Sequence, residues 1–381
     1  MPSNQNSVSR FVAKLLFAFI LGVFILGAIQ STAHAAGKTC PPVKVMTRNL
    51  YLGADIFEVV KTPNPQLIPL AVAEKYALVV QNDFEARAKA IAREIAEREP
   101  DLVGLQEISC FTRFRSPAEG VFIPFEQLNY LEILQKAMAD CGLDYEVAAD
   151  NPNASITLPM LAGLDAGGTP SFDYVNYSDA DVILAKKGIK TARAHLRHYT
   201  DNYEVSLAGQ SIVFSRGFAA VDACVRGKTY RFVNTHVENR DLAAGSVGDI
   251  QRSQVEELVR YLQRENLPVI LAGDFNLRPE DAGYGIITAA GFTDLWAVRH
   301  NARKKQGFTC CQDEDLLNEE SSLDERVDYI FARGSADRRT HGAPHWPVFV
   351  LLTGNDADED KTEAGLWPSD HAGVLAIFSC P

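Results

Sequence analysis

Positive charge is scarce in this 381-residue sequence, where 37 lysines and arginines face 49 aspartates and glutamates and leave a formal charge of −12. A protein that tracks a nucleic-acid backbone ordinarily carries a basic stripe, and none runs through this chain. That absence argues against binding a polyanion by surface charge alone, although a bound divalent cation can supply the missing local positive field. Cysteine is sparse as well, seven in all, and no two are spaced as zinc ligands: Cys310 and Cys311 are adjacent, where a zinc knuckle places two residues between its ligands. Beyond residue 35 no apolar run approaches the roughly 20 residues of a membrane-spanning helix. Sustained strand–helix alternation of the dinucleotide-binding kind is missing, and so are internal repeats and linkers.

What is present begins with residues 1–35. Arg10 and Lys14 precede an apolar run of 15 residues, Leu15 to Ile29, and Ala33-His34-Ala35 offers small residues where a signal peptidase cuts. The pattern predicts a signal peptide over 1–35, a single domain over 40–381, and a secreted or periplasmic product without a stable membrane span. Its removal takes Arg10 and Lys14 with it and leaves a charge of −14. In an oxidising compartment most of Cys40, Cys110, Cys141, Cys224, Cys310, Cys311 and Cys380 are expected to pair, with at least one left over.

With 46% apolar residues the chain can build a sizeable core, and short apolar runs recur from Val43 to Phe378. Strands are predicted at Val43–Asn49, Leu102–Gln106, Leu143–Ala149, Asp181–Lys186, Gly217–Val225, Tyr230–Val237, Val269–Asn276, Arg326–Phe331, Trp346–Leu352 and His371–Phe378. Helical spacing marks Phe84–Glu99, Gln127–Cys141 and Gln251–Arg264. Residues 151–180, with three prolines and Gly167-Gly168, read as a long loop. The class is α/β and rich in strands. The acidic runs Asp313-Glu314-Asp315 and Asp356 to Asp360 lack the glycine and glutamate of a calcium loop and read as solvated turns.

Six segments place polar groups at the ends of apolar strands, where a core would otherwise continue. They are Arg48-Asn49-Leu50, Asp101 to Glu107, Asn234-Thr235-His236, Gly273-Asp274-Phe275-Asn276, Arg326 to Ile330 and Ser369-Asp370-His371. Side-chain alternation along a strand points Asp274 and Asn276 the same way. Singly each has a dull reading: a surface acid, a satisfied core histidine, a turn residue. Together and in this order, over residues 43–379, they resemble the endonuclease/exonuclease/phosphatase superfamily of metal-dependent phosphoesterases.

The resemblance implies a four-layer α/β sandwich of two mixed β-sheets flanked by helices, with the site at one end of the sheets. It implies a hard cation, Mg²⁺ with Mn²⁺ or Ca²⁺ as alternatives, on Glu107 with Asn49 and Asp370. Asp274 would activate water and Asn276 would donate to a phosphate oxygen. His371, held by Asp328, and His236 would face the phosphate. The substrate is then a phosphate ester: nucleic acid in a nuclease-type phosphodiesterase, a phospholipid head group in a sphingomyelinase-like phospholipase C, or a small ester in a phosphatase. An inactive binding module on the same fold is the rival outside catalysis. Arg299, Arg303, Lys304 and Lys305, followed by Phe308, favour a nucleic acid. Against a DNA-repair role, Ile183-Leu184-Ala185-Lys186 stands where relatives often carry a serine–arginine pair, and the asparagine–tyrosine–proline–asparagine segment of abasic-site enzymes is missing. The loop 151–180 and the segment 301–325 are expected to line the entrance. A monomer is expected.

If Asn49 and His371 meet at the site on antiparallel first and last strands, Cys40 and Cys380, each nine residues away along the chain, come together at the far end. A Cys40–Cys380 disulfide is expected there, worth roughly 2–4 kcal/mol, and Cys110 with Cys141 is a second candidate pair.

Overall fold

The apolar strands alternate between two interiors, and that alternation generates the layers. In a computed structural model describing residues 42–115, 122–164, 167–207, 210–239, 247–300, 306–334 and 348–378, β1 (Val43–Asn49) and β2 (Leu102–Gln106) run parallel. Val43, Val45 and Leu102 point into one apolar cluster, and Met46, Val103 and Leu105 into another. Strands buried on both faces need no polar positions, which is why they read as unbroken apolar runs.

One sheet joins β15 (Val348–Thr353), β16 (Gly373–Phe378), β1, β2, β6 (Pro170–Lys186), β3 (Cys110–Arg115) and β4 (Ile123–Asn129) in that order, with β5 (Tyr145–Leu164) paired to β6. The other joins β13 (Thr293–Asp294), β14 (Asp328–Arg333), β12 (Val269–Asp274), β11 (Lys228–His236), β10 (Gly217–Val225) and β7 (Lys190–His198). β8 (Tyr203–Leu207) and β9 (Gln210–Phe214) form a separate hairpin. Both large sheets mix parallel and antiparallel pairs. Between them pack Val43, Val45 and Ile183 from the first and Val221, Phe232 and Ile270 from the second.

Helices cover the outer faces. Over the first sheet lie α2 (Ile68–Gln81), α3 (Phe84–Arg98) and α4 (Tyr130–Asp140), preceded by the short α1 (Phe57–Val60). Over the second lie α5 (Val247–Leu262) and α6 (Ala282–Ala289), and α7 (Leu295–His300) follows β13. The result is the four-layer sandwich expected from the sequence. Among the described residues no helix is long and apolar enough to cross a membrane. Residues 1–35, Cys40, Cys380, Arg303, Lys304 and Lys305 lie outside the described residues. β1 and β16 are antiparallel neighbours, with Val43 opposite Phe378.

Several expectations need correction. The segment 151–180 is no loop: most of it forms the long β5–β6 hairpin, whose register shifts at three places, including Pro152/Ser155. Bulges absorb prolines that would interrupt a regular ladder. The helix expected from Gln127 starts at Tyr130, because Gln127, Leu128 and Asn129 pair with Thr112, Phe111 and Cys110, and the Asn129 side chain accepts from the Glu132 N–H. Cys110 and Cys141 are free. Cys110 faces Asn129 at the start of α4 and Cys141 sits at its end, and a helix of this length spans about 16 Å, beyond the reach of a disulfide. Cys310 and Cys311 are bonded to each other. Nor does Glu314 sit in a merely solvated turn: its carboxylate receives Lys75 and the Asp55 N–H.

Two close approaches tie the sheets together at the end where the polar segments collect. A Cβ on Gly104 would lie 2.6 Å from Asn234 Oδ1, so glycine admits the Asn234 side chain between the sheets. There the Asn234 amide donates to the carbonyls of Leu105 and Val182 and accepts from Gln106. On the outer face Arg48, fully buried, donates to Glu94 at 3.0 Å and to the His371 carbonyl, while Thr353 donates to the other Glu94 oxygen at 2.8 Å.

Removing one partner of that pair strands the other charge in the interior. We expect Glu94→Leu or Arg48→Met alone to lower the unfolding free energy by about 3–5 kcal/mol, and the double variant to lose less than either. Urea titration of the four proteins reads this directly, and additive losses would show that the two side chains do not depend on each other.

Candidate active site

The site forms where β1 and β2 of one sheet and β11 and β12 of the other end and where β14 begins. Parallel pairing sets Asn49 beside Gln106, and the next residue, Glu107, leaves the strand with φ +55°. Parallel β11 and β12 set His236 beside Asp274, and antiparallel β14 sets Asp328 on the other flank of Asp274. Asn276 lies beyond the strand end, with φ +50°, and its N–H bonds the Asp274 carboxylate at 2.9 Å. Strand alternation is therefore not what brings Asn276 to the cleft. Left-handed backbone at two non-glycine positions of one cluster is the kind of local strain that collects at functional sites.

All eight expected residues converge. The Asn49 amide donates to Glu107 and to Asp274, each at 3.0 Å, and its carbonyl oxygen accepts the Tyr51 N–H. Glu107 also accepts the Leu52 N–H at 2.7 Å. His371 Nδ1 meets Asp328 at 2.8 Å, while its Nε2 faces Asp274 at 3.9 Å and Asp370 at 4.0 Å. His236 Nε2 lies 3.5 Å from Asp274 and 3.2 Å from the Asn276 amide. These groups surround a cleft of about 1200 Å³.

The protonation states differ along the cleft. Burial, reinforced by Asp328, pushes Asp274 up to about 7. Burial also raises Asp370, to about 6, with Glu107 adding repulsion and His371 opposing it. For His371 burial works against the charged ring, but Asp328, Asp370 and Asp274 outweigh it and hold the imidazole protonated, well above its ordinary range. His236 goes the other way: burial, then Arg216 and His371, keep it neutral.

Arg216 escaped the sequence reading because it belongs to none of the six segments. Its guanidinium donates to His236 Nδ1 at 2.9 Å and lies 3.4 Å from Glu238. The Nδ1 lone pair is thus occupied, and the proton of the neutral ring sits on Nε2, towards Asp274. Arg87 was also missed, reading as a charge on an amphipathic helix. It is buried, stacks over Phe84, and donates to the carbonyls of Leu50, Tyr51, Asn82 and Pro368. It thereby holds the two chain segments that carry Asn49 and Asp370. A third missed element is the segment Thr309–Gln312, clamped against Asp370–Ala372 by Gln312 N–H to Asp370 O at 2.8 Å and Ala372 N–H to Thr309 O at 2.8 Å. Cys310, Cys311 and Gln312 form part of the cleft wall. Opposite them stand Ala154, Tyr177 and Asp179 of the β5–β6 hairpin, so both expected entrance segments contribute to it.

A divalent cation fits this donor set. Asn49, Glu107 and Asp370 offer hard oxygens, and Glu107 and Asp370 repel each other with no lysine or arginine among their hydrogen-bond partners. Asp274, Asp328 and His371 also bring one donor atom each within 4.8 Å of one another. Oxygen-rich sites of this kind suit Mg²⁺, Mn²⁺ or Ca²⁺ rather than a soft metal.

At the cleft wall, Asn153 donates to Asp179 at 3.3 Å and, behind it, to Asp181 at 3.0 Å, leaving one buried oxygen of each without a partner. Burial, then the neighbouring Asp179, raises Asp181 well above the carboxylate range. Its unfolded-state value is near 4, so the native state holds a proton the unfolded chain has lost, and stability falls as pH rises above that value. Asp181→Asn should relieve this, with a gain of roughly 1–3 kcal/mol at pH 8 and little at pH 4. Thermal unfolding at the two pH values checks it, and equal shifts at both would contradict the assignment.

The endonuclease/exonuclease/phosphatase family model matches residues 80–371. No curated protein matches the chain. Among solved structures, a humanized D. rerio TDP2 bearing 14 mutations is 16% identical at a TM-score of 0.47, covering 89% of this chain and 99% of its own. D. rerio TDP2 complexed with single strand DNA product is 17% identical at 0.47, with coverages of 89% and 99%. A family protein from Bacteroides thetaiotaomicron is 15% identical at 0.48, with coverages of 89% and 98%.

Proposed function

Because the chain belongs to the endonuclease/exonuclease/phosphatase family, we propose that it is a secreted, monomeric phosphodiesterase that works with a divalent cation held by Glu107, Asn49 and Asp370. The observation that carries this reading is geometric: Asp274, fixed by Asn49 and the Asn276 N–H, and His371, turned by Asp328, face each other across one cleft at 3.9 Å. Hydrolysis of a phosphate ester needs an oriented nucleophile, a base, and positive charge on the phosphoryl oxygens. The cation supplies part of that positive charge when bound.

The remaining roles fall to the chain. Asp274, fixed by Asn49 and the Asn276 N–H, accepts the proton of the attacking water, and its raised pKa places it near the operating pH of a general base. His371, turned by Asp328 at Nδ1, presents the Nε2 proton to a phosphate oxygen. Asn276 presents its amide beside it. His236 is neutral, so it contributes a hydrogen bond rather than charge, and Arg216 stands behind it as the cation of that wall.

The nuclease preference suggested by the sequence draws little support from the described mouth. Asp55, Asp179 and Glu314 line it, Glu314 paired with Lys75, and Arg216 is the arginine on the wall, a lining without the basic stripe that tracks a long polyanion. Of the basic cluster, Arg299 lies over Phe349 at 5.3 Å.

The test is turnover of plasmid DNA, RNA, sphingomyelin and bis(p-nitrophenyl) phosphate with Mg²⁺, Mn²⁺ or Ca²⁺. At least one should be hydrolysed, and chelation should abolish the activity. Asp274→Asn and His371→Ala should each reduce kcat by about 10²–10⁴-fold. Glu107→Ala should weaken cation binding in calorimetry at least about tenfold, as lost ligands and their supports commonly do. Absence of turnover with every metal and ester, or full activity in Asp274→Asn, would refute the proposal.

A further inference from the structure

Beside the catalytic cleft lies a second cavity of different chemistry. It lies between α2 and the strands of the β5–β6 and β8–β9 hairpins, is partly open to solvent, and has an accessible volume of about 60 Å³. Val72 and Val79 form its floor on the helix side, with Leu158 and Ile212 across from them. Its one charged wall residue, Lys75, turns its ammonium to Glu58 and to Glu314 and leaves the lining apolar.

Protein interiors are packed to crystal-like density, and a void lined by aliphatic and aromatic groups offers water few hydrogen bonds. Such spaces stay dry and take up apolar molecules of matching size. This one adjoins the catalytic cleft, because Ile56, Tyr177 and Phe214 form a wall common to both. Tyr177 makes the junction concrete. Its hydroxyl lies in the field of Glu107, while its ring packs against Phe111 at 5.2 Å on the cavity side. The β8–β9 hairpin closes the outside through Phe214 and Tyr203, which pack on Phe57 of α1 at 4.9 and 6.2 Å.

We propose that this cavity is a substrate subsite for a linear apolar chain, so that the preferred ester carries an alkyl or acyl tail on the group attached to phosphorus. The proposal rests on the phosphodiesterase reading for the position of the phosphate. With the phosphoryl group between Glu107 and His371, a tail leaving it crosses Tyr177 and enters between Leu158 and Ile212. The apolar occupant comes from a dissolved amphiphile or from a lipid, and the chemistry of the cavity is the same for both.

The test compares p-nitrophenyl alkyl phosphates with methyl, butyl and octyl chains, and in parallel the binding of methyl- and octylphosphonate by calorimetry. Each buried methylene should improve kcat/KM and phosphonate affinity by up to roughly fourfold, levelling off once the cavity is full, and binding should show a negative heat-capacity change. Ile212→Trp, which fills the space from the separate hairpin, should collapse the octyl-to-methyl ratio, and Leu158→Trp should do so from the opposite wall. A ratio unchanged in both variants, or no chain-length dependence in the wild type, overturns the subsite. Chain-dependent phosphonate binding without hydrolysis would support the cavity and count against the phosphodiesterase reading instead. Dissolved esters assayed beside mixed phosphatidylcholine–sphingomyelin vesicles separate the two sources of the chain.

Discussion

Mutual repulsion among carboxylates gathered in one largely buried cluster is the constraint around which this protein is built. Glu107, Asp274, Asp328 and Asp370 share one end of the sandwich, and Asp179 lies on the cleft wall with Asp181 behind it. Left to themselves such groups would take up protons or force the strand ends apart. The protein answers with three kinds of compensation. His371 is drawn into the charged state by three acids, Asn49 spends both amide hydrogens on Glu107 and Asp274, and the residual charge suits a divalent cation. In the proposed phosphodiesterase, a cation bound there would relieve that repulsion.

Holding these groups close requires a scaffold that cannot relax. The strand ends are locked from the outer layer by two buried arginines on opposite sides of the helix–sheet interface. Arg48 belongs to β1 and reaches Glu94 on α3, whereas Arg87 belongs to α3 and reaches the carbonyls that follow β1 and precede β16. Between the sheets Asn234 performs the same service with neutral hydrogen bonds, in space that Gly104 leaves open. An apolar core would have been a simpler filling, but it would have fixed only distances, while these forked donors also fix the direction in which each strand end points.

The sequence disclosed the parts of this design that are buried on two faces. Strands such as Leu102–Gln106 and Val269–Asp274 announce themselves as apolar runs, and a polar residue at the end of such a run is conspicuous. For that reason every catalytic candidate could be named before the fold was known. Arg216, Arg87 and Glu94 could not, since a charge in the short connection between two strands or on an amphipathic helix gives no sign that its partner is a carbonyl or a ring. Helix α2 was hidden for the opposite reason. Its apolar residues run around the whole circumference, leaving Leu70 and Val80 41% and 52% exposed, so no face stood out. Along 151–180 the prolines masked a hairpin whose alternation is weak because both its faces are partly wet.

This division has a functional meaning. Phosphate chemistry depends on groups fixed to the ends of two-sided core strands, which tolerate little variation and leave strong patterns. In the proposed reaction, discrimination among esters would rest on what surrounds the phosphate, a surface that the β5–β6 hairpin, the β8–β9 hairpin and α2 would supply. These elements pack one face on the core and leave the other to shape the cleft and the adjoining cavity. Their outer side chains can change in volume while the arginine clamps, which act on β1 and on the segment before β16, still hold Asn49 and His371. A chain with the same six polar strand ends could therefore serve a different ester by altering only these outer elements, which is why the residues that identify the reaction are silent about its substrate.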